Sequence, residues 1–202
     1  NTNNNENLRF IFGRRSVRAY STAPVSEAAV QTLLEAAMAA PSAAGKDPWR
    51  FVVIRNRQKL GAIAAALPNG PMIAKAALGI VVCGELPAAH DQQLSYLLQD
   101  CAAAIENLLL SAHILGLGAC WLGVHPREDR VRHIRTLLRI TELVIPVAAI
   151  AIGWPRTESG AAGLVAFLGE PEIDVEALRR ALAERLPDYM VPRRFELLPS
   201  LP

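Results

Sequence analysis

Lysine is nearly missing from this chain: of 21 basic residues only Lys46, Lys59 and Lys75 are lysines. An excess of one charge is missing too. The net charge is +2, which gives no broad positive field for a nucleic acid. Aromatic residues make up 5% and do not interleave with the basic ones, so a base-stacking groove is excluded as well. Cysteine occurs three times, at Cys83, Cys101 and Cys120. An odd number, widely spaced and set in apolar runs, argues against a disulfide framework or a zinc site and fits buried thiols in a reducing cytoplasm. The polar opening "NTNNNENL" has no apolar h-region, so no signal peptide is expected. No long apolar run is unbroken. Leu94 to Leu117 contains Gln99, Asp100, Glu106 and Asn107, which would be costly in lipid, so a buried helix is expected there. Glycine-rich turns after strands are absent, which removes the dinucleotide fingerprint.

What is abundant is apolar side chain. Hydrophobic residues make up 51% and the mean hydropathy is +0.22. That is more greasy surface than one small core uses, so part of it is expected against a partner. A length of 202 residues suits one sizeable domain, or one with a small appendage.

Residues 1–7 read as a disordered lead. Ser26 is a good N-cap, with Val25 placed to staple onto Val30, and Val30, Leu33, Leu34, Ala37 and Met38 form one helical face ended by Pro41. Strands are expected at 50–56, 78–84, 119–124 and 144–154. Helices are expected at 57–67, at 91–117, after Pro126 and from Asp174 to Leu186, with "PNGP" as a turn at 68–71. Strands alternating with helices usually indicate a parallel sheet.

Three stretches could carry chemistry. "GRRSVRAY" places Arg14, Arg15 and Arg18 around Ser16. It is either a solvated surface or an anion site, since guanidinium forks match phosphate oxygens in pairs. "AAPSAAGKDPW" (39–49) is either an ordinary helix-to-strand loop or a backbone that comes close to something flat. "GLGACWLGVHP" (116–126) puts Trp121 in a core, or offers the Leu122 and Gly123 backbone N–H groups to a ring system.

In this order and spacing the three stretches resemble the FMN-dependent nitroreductase family, with its "RRSVR", "APSxxNxQPW" and "GLGAxWLG" segments. The resemblance covers about residues 8–155, and "QDCAAAIENLLLSAHILGLG" is similar to the family's long central helix. It implies an α+β fold of three layers, a central mixed and mainly antiparallel sheet, and an intertwined homodimer with FMN at the interface. It implies that Arg14, Arg15, Ser16 and Arg18 hold the flavin, with its phosphate on the arginine cluster and Arg18 near the pyrimidine edge. Pro41, Ser42, Ala43 and Gly45 would line the ring, and the backbone of Trp121, Leu122 and Gly123 would lie near N5. No protein acid, base or nucleophile is then needed. NADH or NADPH would reduce the flavin, and a nitroaromatic, quinone or similar small acceptor would reoxidise it in a ping-pong cycle. Neither a nucleic acid nor a membrane is an expected partner.

The chain departs from the family pattern in two places. Gly45 and Asp47 stand where relatives have asparagine and glutamine. After Gly153-Trp154-Pro155 come only Arg156 and then no base until Arg179, so the basic pair that usually clamps the phosphate is absent. Residues 157–202 read instead as an appendage. "GLVAFLGE" and "LPDYMVP" there resemble part of a peptide-synthetase adenylation domain. Two alternatives follow: an assembly-line oxidase of thiazolines or oxazolines, and a non-catalytic flavin-binding or docking module.

Overall fold

The structure, a computed structural model, describes residues 8–156, 165–168, 174–185 and 194–197. The expected lead at 1–7 and the "LPDYMVP" motif lie outside them. The chain divides into two units. One runs from Arg14 to Arg156, and the other gathers the first 13 residues with those after 156.

In the second unit, helix α1 spans Arg9–Gly13. The larger unit begins with α2 (Glu27–Met38), started as expected by Ser26, whose side chain accepts the Ala29 N–H. Strand β1 (Trp49–Ile54), helix α3 (Arg57–Ala66) and strand β2 (Leu78–Glu85) follow. Then come α4 (Leu94–Ile114), β3 (Gly118–Gly123), α5 (Glu128–Leu138) and β4 (Val144–Gly153). Beyond the unit lie β5 (Val165–Leu168), α6 (Val175–Arg185) and β6 (Arg194–Leu197), with β5 and β6 paired in parallel.

The main sheet has the order β1-β2-β4-β3, and every pair of neighbours in it is antiparallel. Alternation of strand and helix therefore misleads here. After β1 the chain runs out along α3 and returns through the 68–70 turn and a 3-10 segment, Pro71–Lys75. It re-joins the sheet at the end it left, with Gly79 opposite Ile54. Both faces of the sheet are covered. Ile80, Val82, Ile150 and Ile152 pack with Leu33 of α2 and Leu97 and Leu108 of α4. Val81, Cys83, Ala149 and Ala151 pack with Leu60 and Ile63 of α3 and Ile134 of α5. Three layers result. Burial on both faces explains why β2 and β4 read as continuous apolar runs.

Helix α4 starts at Leu94, not at Asp91, because Asp91 and Gln92 adopt φ of 50° and 53°. It buries Leu97, Cys101, Ala104, Ile105, Leu108 and Ala112 on one side. Its apolarity extends further round, and Leu94, Tyr96 and Ile114 stay exposed. The helix stops at Gly116 (φ 75°), where Gly116 N–H bonds the His113 carbonyl and Leu117 N–H bonds that of Ala112. This left-handed C-terminal cap turns the chain directly into β3.

Candidate functional site

Residues 14–21 run extended along the outer edge of β3 and the end of β4. Ser16 bridges Ala119 in parallel, and Val17 N–H donates to the Ala119 carbonyl at 2.9 Å. Tyr20 bridges Pro155, and its hydroxyl reaches the carbonyls of Val17 (2.6 Å) and Ala151 (3.2 Å). Burial holds the Tyr20 phenol well above its ordinary pKa, so it remains a donor. Gly118 makes the docking possible, since a Cβ there would lie 2.6 Å from Val17 Cγ1.

Alternation along this segment sends Val17 inward, and it leaves Arg15, Ser16 and Arg18 exposed. The three arginines do not form one cluster. Arg14 Nε lies 3.3 Å from Glu106 Oε1 on α4, which leaves its two terminal nitrogens uncommitted to that pair. Arg14 and Arg15 together act on His113, seven residues past Glu106 on the same helix face. Burial, and then the charges of Arg14 and Arg15, lower its pKa. Arg18 lies nearer Cys120. Burial raises the Cys120 thiol, while Arg18 and a hydrogen bond from Ser16 draw it back. Among the described residues no carboxylate pairs with Arg15 or Arg18.

Beside Arg18 is a cleft of about 240 Å³, lined also by Leu67, Asn69, Gly70, Cys120 to Gly123, and Arg130. Strand β3 lies at the edge of the main sheet. The Ala119 carbonyl faces away from β4 towards Val17, and the Gly123 carbonyl faces outward to accept Arg130 Nη1 at 3.0 Å. Two-residue alternation puts the N–H and C=O of Trp121 on that same outer side. A Cβ on Gly123 would meet nothing within 4 Å. The edge thus offers backbone donors and flat space next to a cation that has no carboxylate partner among the described residues.

The 39–49 loop is built from unusual backbone. Ala44, Gly45 and Asp47 have φ of 51°, 62° and 48°. Two sets of bonds hold them there. Ser42 Oγ donates to Asp47 Oδ1 at 2.5 Å and accepts the Asp47 N–H at 3.0 Å. Ala43 N–H donates to Asp100 Oδ1 of α4 at 2.9 Å. The departure from the family's glutamine thus has a local use: Asp47 closes the loop on Ser42. Pro41 and Gly45 are exposed, and Ser42 and Ala43 are half-buried.

The expected site residues fall into three groups, of which Arg14, Arg15 and Ser16, outside the cleft, form one. Arg18 meets Trp121, Leu122 and Gly123 in the cleft, whereas none of Pro41, Ser42, Ala43 and Gly45 lines it. The loop leads into β1, at the opposite edge of the sheet from β3. Three strand spacings, roughly 14 Å, separate those edges. Sequence reading missed Asn69, Gly70 and Arg130 in the cleft, and Asp100 and Glu106 on α4. Asn69 sits in "PNGP", which reads as a turn and nothing more. Arg130 carried a signal, a cation in the first turn of a helix, where the macrodipole disfavours it. Asp100 and Glu106 carried another, as acids on a greasy helix.

A model of the nitroreductase family matches residues 11–71 and 61–154. A relative from Archaeoglobus fulgidus, assigned as an NADH dehydrogenase/NAD(P)H nitroreductase, is 41% identical over 153 residues, covering 76% of this chain and 87% of its own. A solved structure from Desulfovibrio desulfuricans, assigned as a nitroreductase and in complex with FMN, is 34% identical with a TM-score of 0.66, over 78% of this chain and 90% of its own. The adenylation-like reading of the appendage is not supported. The family match ends at residue 154, and a hybrid PKS-NRPS synthetase of Gloeophyllum trabeum, 37% identical over 94 residues, matches 44% of this chain but 6% of its own length. No described helix is long and apolar enough to cross a membrane.

Proposed function

The chain belongs to the nitroreductase family, and from that premise we propose that it is an FMN-dependent oxidoreductase of small electron acceptors. When bound, FMN would supply the redox chemistry, hydride transfer from NADH or NADPH to a nitroaromatic, quinone or similar acceptor. One observation carries the reading: the Arg18 guanidinium, without a carboxylate partner among the described residues, shares a cleft with the outward backbone edge of Trp121 and Gly123. A flat, electron-accepting ring needs those features, namely donors along one edge, a cation beside it and no side chain in its way.

The donor set fits the rest of the cofactor. Arg15, the terminal nitrogens of Arg14 and the Ser16 hydroxyl would hold the phosphate, with Glu106 orienting the Arg14 fork. They would act without the usual basic pair after Pro155. Arg18 would oppose negative charge on the ring. The 41–45 loop comes from the far edge of the sheet, so a second protomer is the natural source of that wall. The exposed apolar residues Met38, Leu94, Tyr96 and Ile114 supply surface for such a homodimer. None of the roles assigned here asks a side chain to gain or lose a proton. Both substrates would use the same face of the cleft in turn, which gives ping-pong kinetics.

The test is direct. Purified protein reconstituted with FMN should show a bound flavin spectrum, bleach on anaerobic addition of NADH or NADPH, and recover with a quinone. It should sediment as a dimer. A protein that retains no flavin would sink the reading.

A further inference from the structure

We propose that Arg130 is a positioning residue of the cleft. It would fix the peptide at Gly123 and set a second positive charge beside the flavin. The proposal rests on the FMN reading above and adds a residue to it. Arg130 Nη1 donates to the Gly123 carbonyl at 3.0 Å. The N–H of the same peptide, that of Val124, donates to the Val147 carbonyl at 3.2 Å. The peptide plane that ends β3 is therefore held from both sides. Its orientation decides how the Gly123 backbone meets whatever fills the cleft.

Helix stability does not explain why an arginine stands there. Arg130 is the third residue of α5, after Glu128 and Asp129, and the positive end of a helix repels a cation in its first turn. Its neighbours do not explain it either. Among the described residues its guanidinium has one hydrogen bond, to Gly123, and no carboxylate partner. Arg130 and Arg18 line the same cleft. Two uncompensated guanidinium groups in one small cleft favour an occupant that becomes more negative. For a flavin this means a raised reduction potential.

The experiment compares wild type, R130Q, R130K and R127A, all reconstituted with FMN. Arg127 is the exposed cap residue of α5 and serves as the control. The readouts are FMN affinity from flavin fluorescence quenching, midpoint potential from dye-coupled reduction, and melting temperature. R130Q should bind FMN about tenfold more weakly, through loss of a positive charge beside the ring and of the fixed Gly123 peptide. Its potential should move to more negative values, while its melting temperature stays level or rises. R130K should restore the potential, and R127A should match wild type. The proposal is overturned if R130Q keeps the wild-type potential and affinity, if R130K tracks R130Q, or if affinity falls only together with melting temperature. Failure of the wild type itself to bind FMN would instead remove the reading underneath, and this proposal with it.

Discussion

Asp100 on helix α4 accepts the Ala43 N–H at 2.9 Å and so ties a loop with positive φ at Ala44, Gly45 and Asp47 to the central helix. The carboxylate is buried at 5% exposure, and its other oxygen, Oδ2, has no partner among the described residues. Asp100→Ala should cost about 1–3 kcal/mol, because it orphans the Ala43 N–H as well as opening space. Asp100→Asn keeps an acceptor and should cost less. Urea denaturation of both variants checks this. Equal losses would assign the effect to the charge and not to the bond.

Arg18 and Arg127 are both exposed arginines, but only Arg18 lines the cleft. Arg18→Ala should weaken FMN binding roughly ten- to a hundredfold, the scale of a charge-assisted bond, and slow reduction by NADPH. Arg127→Ala should do neither. Fluorescence titration and stopped-flow reduction compare the two, and matching effects would undo the role given to Arg18.

Gly118 and Gly123 open and close the same strand but should respond oppositely to alanine. A Cβ at Gly118 would lie 2.6 Å from Val17, so Gly118→Ala should push residues 16–18 away from β3 and cost about 1–3 kcal/mol. A Cβ at Gly123 meets no atom of the protomer within 4 Å. Gly123→Ala should leave the melting temperature unchanged and still weaken FMN. Thermal melts with and without FMN separate the outcomes. A destabilised Gly123→Ala would show that the space is not held open for a ligand.

Burial pushes the Cys83 and Cys101 thiols from 9.0 up to about 12. The folded protein keeps these protons where the unfolded chain loses them. The stabilisation is therefore complete below about pH 9 and is lost as the pH rises towards 12. Denaturation midpoints should fall across that window, and less steeply in a Cys83→Ala/Cys101→Ala double variant. In native protein at pH 8 iodoacetamide should leave both thiols intact, and in urea it should modify them. Prompt alkylation without denaturant would contradict their burial.

Local signals were legible where one residue decides one bond. Ser26 starts α2 and Gly116 ends α4, since a cap needs only its own side chain or backbone angle. The α+β fold with a mainly antiparallel sheet came from the family resemblance and holds. Alternation alone points to a parallel sheet, because strand direction depends on where the return from α3 brings the chain back, and a helical period does not record that. The start of α4 was misplaced by three residues, because left-handed angles at Asp91 and Gln92 leave no mark in hydropathy.

The sequence by itself determined the apolar strands and helices, the order of the three segments proposed for the site, and the scarcity of lysine that leaves arginine to carry the positive charge. These follow from residue type and spacing, which need no partner. Tertiary structure alone decided that Arg14 turns to Glu106 while Arg18 joins Trp121 and Gly123. It also decided that Arg130 lines the cleft and bonds the Gly123 carbonyl, and that the 41–45 loop leads into the strand at the opposite edge of the sheet. Those outcomes depend on which strand lies at an edge and which way its carbonyls face, and non-local pairing sets both.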